Sequence, residues 1–276
     1  MTGSRLHHLP VQEGPSFKSL IEEKEINMRV SSVLTTVLSV LLSFPFAASA
    51  NDKGVVLVTG ANRGLGLEFV TQLQARGYEV IGTARSPEKA TALKATGARV
   101  EQLDVADQAS VASLANRLED VPIDILINNA GMLNRADSTL DTLDFEMMER
   151  SFQVNSLGPL RVTQALLSNL KAGDKKTIVS ITSRLGSIEL STGGLYSYRT
   201  SKTALNQINK IISAELAPQG FTCVVMHPGW VRTDMGGSSA TLAKAESISS
   251  MLGVIENLTT GSNGKFFNYD GEELPW

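Results

Sequence analysis

The chain has 276 residues, of which 42% are hydrophobic and 19% are charged, fractions that support a folded core and exclude a disordered polyampholyte. Its 25 Lys and Arg residues against 28 Asp and Glu residues leave a formal net charge of −3, which is no electrostatic footprint for nucleic acid. A single cysteine, Cys223, excludes an intramolecular disulfide and a multi-cysteine metal site. With only three histidines as well, the sequence predicts a globular protein without a metal site.

The first 50 residues differ from the rest of the chain. Residues 30–50 carry no charge, Arg29 precedes them, and they end in small residues, as a secretory signal does. If translation starts at Met28, this is an export signal cleaved before Asn51; an uncleaved membrane anchor is the alternative, since about 20 apolar residues span a bilayer. Whether residues 1–27 are translated stays open. We expect an extension at 1–50, with the signal- or anchor-like segment at 28–50, and a folded domain at 51–276, which is cytoplasmic only if that segment is not used.

From residue 54 onward, short apolar runs alternate with longer segments of helical period. Several runs are continuously apolar, which is typical of a sheet covered on both faces. The alternation predicts one α/β domain of Rossmann type, with a doubly wound parallel sheet of about seven strands and helices on both faces. The predicted strands are Val55–Val58, Val80–Gly82, Val100–Leu103, Ile123–Ile127, Thr177–Ile181, Cys223–Met226 and Lys265–Phe267, and the predicted helices are 64–76, 87–95, 107–118, 143–171, 197–217 and 240–258.

The first predicted strand leads directly into a glycine-rich turn, residues 59–66 (TGANRGLG), and then into the first predicted helix. Glycines permit a tight turn, so that main-chain N–H groups and the helix N-terminus can approach a pyrophosphate. Because the turn lies between the first strand and the first helix, it predicts a dinucleotide site rather than a plain turn.

The end of the second predicted strand indicates which dinucleotide. A fold that binds NAD usually has Asp or Glu here, whereas this chain has Arg85 and no carboxylate before Glu88. Arg85 and Arg63 can pair with a 2′-phosphate through charge-assisted hydrogen bonds. The sequence therefore favours NADP(H) over an interpretation in which Arg85 is only a surface residue.

Several motifs together resemble the short-chain dehydrogenase/reductase family over about residues 54–276. The glycine turn resembles TGxxxGxG, residues 128–131 (NNAG) match the segment after the fourth strand, and residues 198–202 (YRTSK) form YxxxK. The closing residues 264–276 are most similar to the small carbonyl-reductase and C-signal-like subgroup. The resemblance implies subunits paired as a homodimer or homotetramer. It also implies cofactor contacts at Gly60, Asn62, Arg63, Gly64, Leu65, Gly66, Arg85, Asp104, Val105, Asn129, Ala130, Gly131, Tyr198, Lys202, Pro228, Gly229, Val231 and Thr233.

The YxxxK motif can be understood from its residues. Tyr198 and Lys202 are four apart, so that on a helix their side chains share one face. A phenol has an unperturbed pKa of about 10, and an adjacent ammonium stabilises the phenolate and lowers that pKa. We therefore expect Tyr198 to act as a general acid or base.

A hydroxyl group is expected beside Tyr198, at the end of the preceding strand. Strand alternation and the family pattern favour Ser183, with Thr182 or Ser187 as the alternatives and Ser180 a fourth candidate. The resemblance implies that Asn155 completes the set by supporting a water molecule near the lysine.

These residues predict an NADPH-dependent oxidoreductase that reversibly reduces a small ketone or aldehyde to an alcohol, with Tyr198 as proton donor. One alternative is a dinucleotide-binding signalling or sensor protein of the C-signal-like type, which does not turn over; the complete Asn155–Ser183–Tyr198–Lys202 set argues against it. An epimerase, which shares YxxxK, usually has a longer segment after the site than the roughly 40 residues beyond Thr233. The substrate and the direction are not readable, and residues 234–248 are expected to form a short, mobile lid.

Overall fold

The structure, a computed structural model, describes residues 53–276. The predicted signal or anchor at residues 28–50 lies outside the described residues. Within 53–276, none of the helices combines the length and the apolar character needed to cross a membrane.

One sheet of seven parallel strands forms the centre of the described domain, in the order β3-β2-β1-β4-β5-β6-β7. The chain proceeds outward from β1 on one side, then returns to its other side at β4, so the sheet is doubly wound with its switch point between β1 and β4. This confirms the predicted Rossmann-type fold class. The strands are β1 (Val55–Val58), β2 (Glu79–Ala84), β3 (Arg99–Gln102), β4 (Ile125–Asn128), β5 (Thr177–Ile181), β6 (Thr222–His227) and β7 (Phe266–Asn268).

Helices cover both faces of the sheet. Along β1, Val56 and Val58 join one buried apolar cluster while Leu57 joins another, because alternate side chains of a strand point to opposite faces. The first cluster includes side chains of α1 and α8, and the second includes side chains of α3 and α5. The helices are α1 (Gly64–Ala75), α2 (Thr91–Ala95), α3 (Gln108–Arg117), α4 (Phe145–Asn155), α5 (Leu157–Ala165), α6 (Leu167–Ala172), α7 (Tyr196–Leu216) and α8 (Lys244–Glu256).

Two helix predictions were wrong in their continuity. The predicted helix 143–171 is three helices, and its first break follows Asn155. This break arises because Pro159, in the first turn of α5, has no N–H with which to continue the preceding helix. The predicted helix 87–95 is a 3-10 turn at Pro87–Lys89 followed by the five-residue α2. The first break is important for the site, since it places Asn155 at a helix end.

Two helical glycines provide a test of the packing that shapes the glycine turn. A Cβ on the buried Gly66 would meet the Gly60 carbonyl oxygen, and would lie 2.6 Å from Nδ2 of Asn129. A Cβ on Gly253, in the interior of α8, would meet nothing within 4 Å. We expect Gly66→Ala to lower the free energy of unfolding by about 1–3 kcal/mol through overpacking, and Gly253→Ala to raise it by up to about 1 kcal/mol through helix propensity.

Urea unfolding of the two variants checks this expectation. Equal effects of the two substitutions would show that the turn does not depend on close backbone approach at Gly66.

Candidate active site

The glycine turn between β1 and α1 is built for close approach of a ligand to the backbone. Gly60 and Gly64 have φ angles of 64° and 60°, in the left-handed region that favours glycine. Gly60 packs against Ala130, and the amide of Asn129 donates hydrogen bonds to the carbonyls of Thr59 (2.9 Å) and Gly60 (3.2 Å). Among the described residues, no side chain caps the N-terminus of α1. Its N–H groups and the open space at Gly64 form a cradle that a pyrophosphate fits.

The two arginines expected near a 2′-phosphate differ in their surroundings. Arg85 is exposed just after β2, and none of the ion pairs within residues 53–276 involves it. Arg63 is also exposed, but its Nη1 lies 2.5 Å from Oδ2 of Asp234. Sequence reasoning missed this acidic partner, which is 171 positions away. Because an exposed ion pair contributes little to stability, about 0–1 kcal/mol, a phosphate can displace Asp234.

Two of the predicted cofactor contacts, Asp104 and Val105, lie after β3. Oδ1 of Asp104 accepts a hydrogen bond from the N–H of Ala106 (3.0 Å), and its Oδ2 lies 3.9 Å from Arg150. Val105 is buried and would touch a Cβ on Gly158. In the glycine turn, Asn62 is exposed and Leu65 is half-buried. The predicted nucleotide-binding residues in this part of the chain therefore lie after the carboxyl ends of β1, β2 and β3.

Tyr198 and Ser183 come together at the carboxyl end of β5. Tyr198 lies in the first turn of α7 and Ser183 follows β5. Both side chains are buried, and they lie close enough for the serine hydroxyl to lower the pKa of the phenol. Thr182 donates to Oδ1 of Asn206 (2.6 Å), and Oγ of Ser187 accepts from a main-chain N–H. Oγ of Ser183 also accepts from a main-chain N–H, that of Leu185 (3.1 Å), but of these three hydroxyls only that of Ser183 affects the pKa of Tyr198. The geometry therefore favours Ser183.

The pKa of Tyr198 is shifted in the direction opposite to our expectation. Burial raises this pKa, and it outweighs the lowering by the hydrogen bond with Ser183 and by the positive charge of Arg135. Nζ of Lys202, expected to lower it, lies 6.0 Å from the centroid of the Tyr198 ring and donates instead to the carbonyl of Ile181 (2.8 Å). Tyr198 is therefore a protonated phenol at neutral pH, which is the form that donates a proton.

Lys202 is buried, and burial lowers its pKa to about 8. The amine therefore still carries its proton at pH 7. A Cβ on Gly131 would lie only 3.6 Å from Nζ of Lys202 and 3.3 Å from Oδ1 of Asn155. Glycine at the end of the NNAG segment thus leaves the space beside the lysine open.

Asn155, the last residue of α4, is fully buried and bonded on three sides. Its Oδ1 accepts from the N–H of Met132 (2.8 Å), and its Nδ2 donates to the carbonyl of Met132 (2.9 Å) and to Oγ of Ser201 (3.0 Å). The side chain thus joins the loop after β4 to α7. These bonds place Asn155 in a supporting position beside the Tyr198–Lys202 pair.

The segment after β6 carries the remaining predicted residues. The Pro228 carbonyl accepts from Ser247, and Gly229 has a φ of 81° and packs closely against Leu242 and Tyr269. Val231 is buried, and Oγ1 of Thr233 accepts from the N–H of Gly236 (3.0 Å).

The expected lid at 234–248 is shorter than predicted. Residues 244–248 form the start of α8, with Ser247 and Ile248 buried. Residues 236–237 of the expected lid, both glycines, are also held by a hydrogen bond, since Nε1 of Trp230 donates to the Gly236 carbonyl. The segment is held on two sides, by Arg63 at Asp234 and by Nη2 of Arg135 at the carbonyl of Met235 (2.7 Å). Arg135 has no motif of its own, so only its place four residues after the NNAG segment could have indicated it.

A glycine turn at the switch point, with a buried tyrosine, lysine and serine at the adjoining strand ends, defines a class of dinucleotide-binding α/β proteins. The sequence profile of the short chain dehydrogenase family matches residues 54–243. The chain belongs to this family of oxidoreductases.

Individual relatives agree with the predicted subgroup. C-signal of Myxococcus xanthus is 47% identical over 156 residues, which are 56% of this chain and 93% of the relative. An NADPH-bound carbonyl reductase from chicken fatty liver is similar with a TM-score of 0.75 and 34% identity, over 80% of this chain and 98% of that chain. Carbonyl reductase Sniffer of D. melanogaster has a TM-score of 0.76 and 33% identity, over 82% and 100%. The resemblance to the carbonyl-reductase and C-signal-like subgroup is thereby confirmed.

The buried amine of Lys202 leads to a prediction about stability and pH. Because its pKa is about 8 in the folded protein against an ordinary 10.5, the folded state binds fewer protons than the unfolded state between these values. This difference raises the free energy of unfolding as the pH increases from about 8 to about 10.5. We expect the wild type to gain stability over this range relative to Lys202→Met, as measured by urea unfolding at pH 7, 8, 9 and 10.

The exposed Lys94 supplies the control, and Lys94→Met should follow the wild-type pH dependence. Parallel curves for the wild type and Lys202→Met would show that the amine is not desolvated.

Proposed function

We propose that the protein is an NADPH-dependent reductase of ketones or aldehydes. The observation that carries the proposal is the buried, protonated Tyr198 next to the Ser183 hydroxyl, with the buried Lys202 one turn later on the same helix. The chicken carbonyl reductase bound to NADPH supports the choice of cofactor and reaction. When bound, NADPH supplies the hydride; the protein supplies position and electrostatics.

The chain's own residues provide the binding surface. The N–H groups at the start of α1 face the pyrophosphate, and Arg85 together with Arg63 faces the 2′-phosphate. Residues 228–233 border the nicotinamide end. Lys202 holds the nicotinamide ribose, for which the bare Gly131 leaves room.

The proton follows a short route at the carbonyl. Ser183 donates a hydrogen bond to the substrate oxygen and orients it towards Tyr198. The Tyr198 hydroxyl then gives its proton to that oxygen as negative charge develops there. The Ser183 hydroxyl and the charge of Arg135 stabilise the phenolate left behind, and Asn155 holds α7 and the loop after β4 in register. At neutral pH the phenol therefore holds the proton that reduction requires.

A non-catalytic sensor is the alternative, which the similarity to C-signal suggests but the site does not favour. A sensor does not need a protonated phenol in contact with a serine beside a buried amine, which is costly to bury. Consumption of NADPH with a panel of small ketones and aldehydes separates the two functions. No consumption with any carbonyl compound, combined with tight NADPH binding, would support the sensor.

Tyr198→Phe tests the proton donor. The substitution removes the transferable proton and keeps the ring, so kcat should fall by about 10²–10⁴-fold while NADPH still binds. Steady-state NADPH oxidation and NADPH fluorescence titration measure the two quantities. Tyr196→Phe, two residues earlier on the same helix, is the matched control and should retain activity. Near-normal turnover by Tyr198→Phe would exclude the assignment.

Arg85→Asp tests the cofactor preference. Since Arg85 faces the 2′-phosphate without a competing carboxylate, we expect the wild type to bind NADPH at least about tenfold tighter than NADH, about 1.4 kcal/mol. Arg85→Asp should reduce or reverse this ratio. Asp234→Asn releases Arg63 and should tighten NADPH binding without affecting NADH. Equal affinities of the wild type for both nucleotides would contradict the assignment.

We also infer that residues 51–276 form the catalytic domain, that its subunits pair as in the family, and that residues 28–50 direct export or anchoring. The N-terminal residue of the protein from its host tests the last inference. A mature start at Asn51 supports cleavage, an intact chain in membranes supports an anchor, and an intact chain outside membranes contradicts both.

A further inference from the structure

The chain that leads directly into α7 does not supply the hydrogen-bond acceptors for the first two N–H groups of this helix. Leu195, the residue before the helix, has φ 54° and ψ 49°, a left-handed conformation that costs a non-glycine residue stability. Its side chain makes no capping hydrogen bond. Gly193 and Gly194 before it also have positive φ angles. Tyr198 is the third residue of this helix, so the turn that carries the proton donor depends on an external support.

Asp137, in the loop between β4 and α4, supplies that support. Its main-chain carbonyl accepts from the N–H of Tyr196 (3.2 Å), and its Oδ2 accepts from the N–H of Ser197 (2.7 Å) and from the Ser197 hydroxyl. The first two N–H groups of α7 are thus bonded to one residue that lies 60 positions before Ser197. A carboxylate at a helix N-terminus also interacts favourably with the helix dipole.

The loop that carries Asp137 is itself attached to the active site. Asn129 bonds the glycine turn, and Met132 bonds the side chain of Asn155. Arg135 reaches the carbonyl of Met235 in the lid. Asp137 therefore connects Tyr198 to the same framework that holds the nucleotide turn and the lid.

The burial of Asp137 is costly. Its side chain is 0% exposed, and its Oδ1 has no partner within residues 53–276. A buried carboxylate oxygen without a hydrogen bond lowers stability. A residue retained at this cost is expected where precise geometry is needed, and the turn it holds is the one that carries the proton donor.

We propose that Asp137 is a positioning residue, which holds the first turn of α7 so that the Tyr198 hydroxyl stays beside Ser183. The inference rests on the proposed reductase function. Proton transfer requires hydrogen-bond reach, and a displacement of about 1 Å can cost about 10²-fold in rate. The glycine turn is held directly by the hydrogen bonds of Asn129, so we expect NADPH binding to survive the loss of Asp137.

The experiment compares Asp137→Ala with Asp144→Ala. Asp144 caps α4 through the N–H of Met147 (3.0 Å), so both variants lose a helix cap, but the second loses one away from Tyr198. For Asp137→Ala we expect a kcat about 10²-fold lower per NADPH-binding site, an unchanged Kd for NADPH and a larger solvent deuterium isotope effect on kcat. Asp144→Ala should lose stability and keep the wild-type kcat and isotope effect.

Two results would overturn the proposal. The first is a similar change of kcat in both alanine variants. The second is a lower total activity of Asp137→Ala that is fully explained by fewer NADPH-binding sites, with kcat per site unchanged. If Asp137→Ala does not fold, Asp137→Asn decides: its amide oxygen accepts more weakly, so kcat should fall up to roughly tenfold with the NADPH Kd unchanged. An unchanged kcat in Asp137→Asn would then exclude the role. A wild type without turnover would contradict the reductase function itself, which separates the two failures.

Discussion

The burial of the Lys202 ammonium is the constraint on which the rest of the site depends. Removing a charged amine from water is unfavourable, and here the lowered pKa of about 8 reports that cost. The structure compensates with one hydrogen bond from Lys202 to the Ile181 carbonyl and with hydrogen bonds that hold α7 in place. Asn155 holds Ser201, and the Ser156 hydroxyl donates to the Ser201 carbonyl (2.7 Å). Because α7 is fixed at the residue beside the lysine, Tyr198 one turn earlier is brought to the end of β5.

The same burial determines the protonation of the proton donor. Tyr198 shares the dry environment of Lys202, so its pKa is raised and the phenol keeps its proton at neutral pH. The polar groups that counter this are few: the Ser183 hydroxyl and the charge of Arg135. The phenol is thus in the protonated form that a reductase needs, while its raised pKa makes it a weaker acid than an ordinary phenol. The glycine turn that we propose as the nucleotide site lies at the same end of the sheet, because the carboxyl ends of parallel strands lie together.

Much of the fold and of the candidate site could be predicted from the sequence, because the motifs that indicate them each lie within a short stretch of the chain. The apolar runs predicted the seven strands, and the glycine turn and the YxxxK motif each lie within a few residues. The remainder depended on contacts distant in sequence. The partner of Arg63 is Asp234, and the cap of α7 is Asp137; neither has a signal near its partner. The break at Asn155 was missed because the apolar period continues through it, and the pKa of Tyr198 was misjudged because burial cannot be read from spacing.

The central claim is that the protein moves a hydride from NADPH to a carbonyl carbon while a protein hydroxyl supplies the proton. The most direct measurement uses NADPH deuterated at C4, separately on each face, with a small ketone or aldehyde, and follows the label by mass spectrometry. We expect deuterium from one face only to appear on the carbinol carbon, while the hydroxyl proton comes from solvent. Release of the deuterium to solvent, or no transfer with any carbonyl compound despite NADPH binding, would contradict the account.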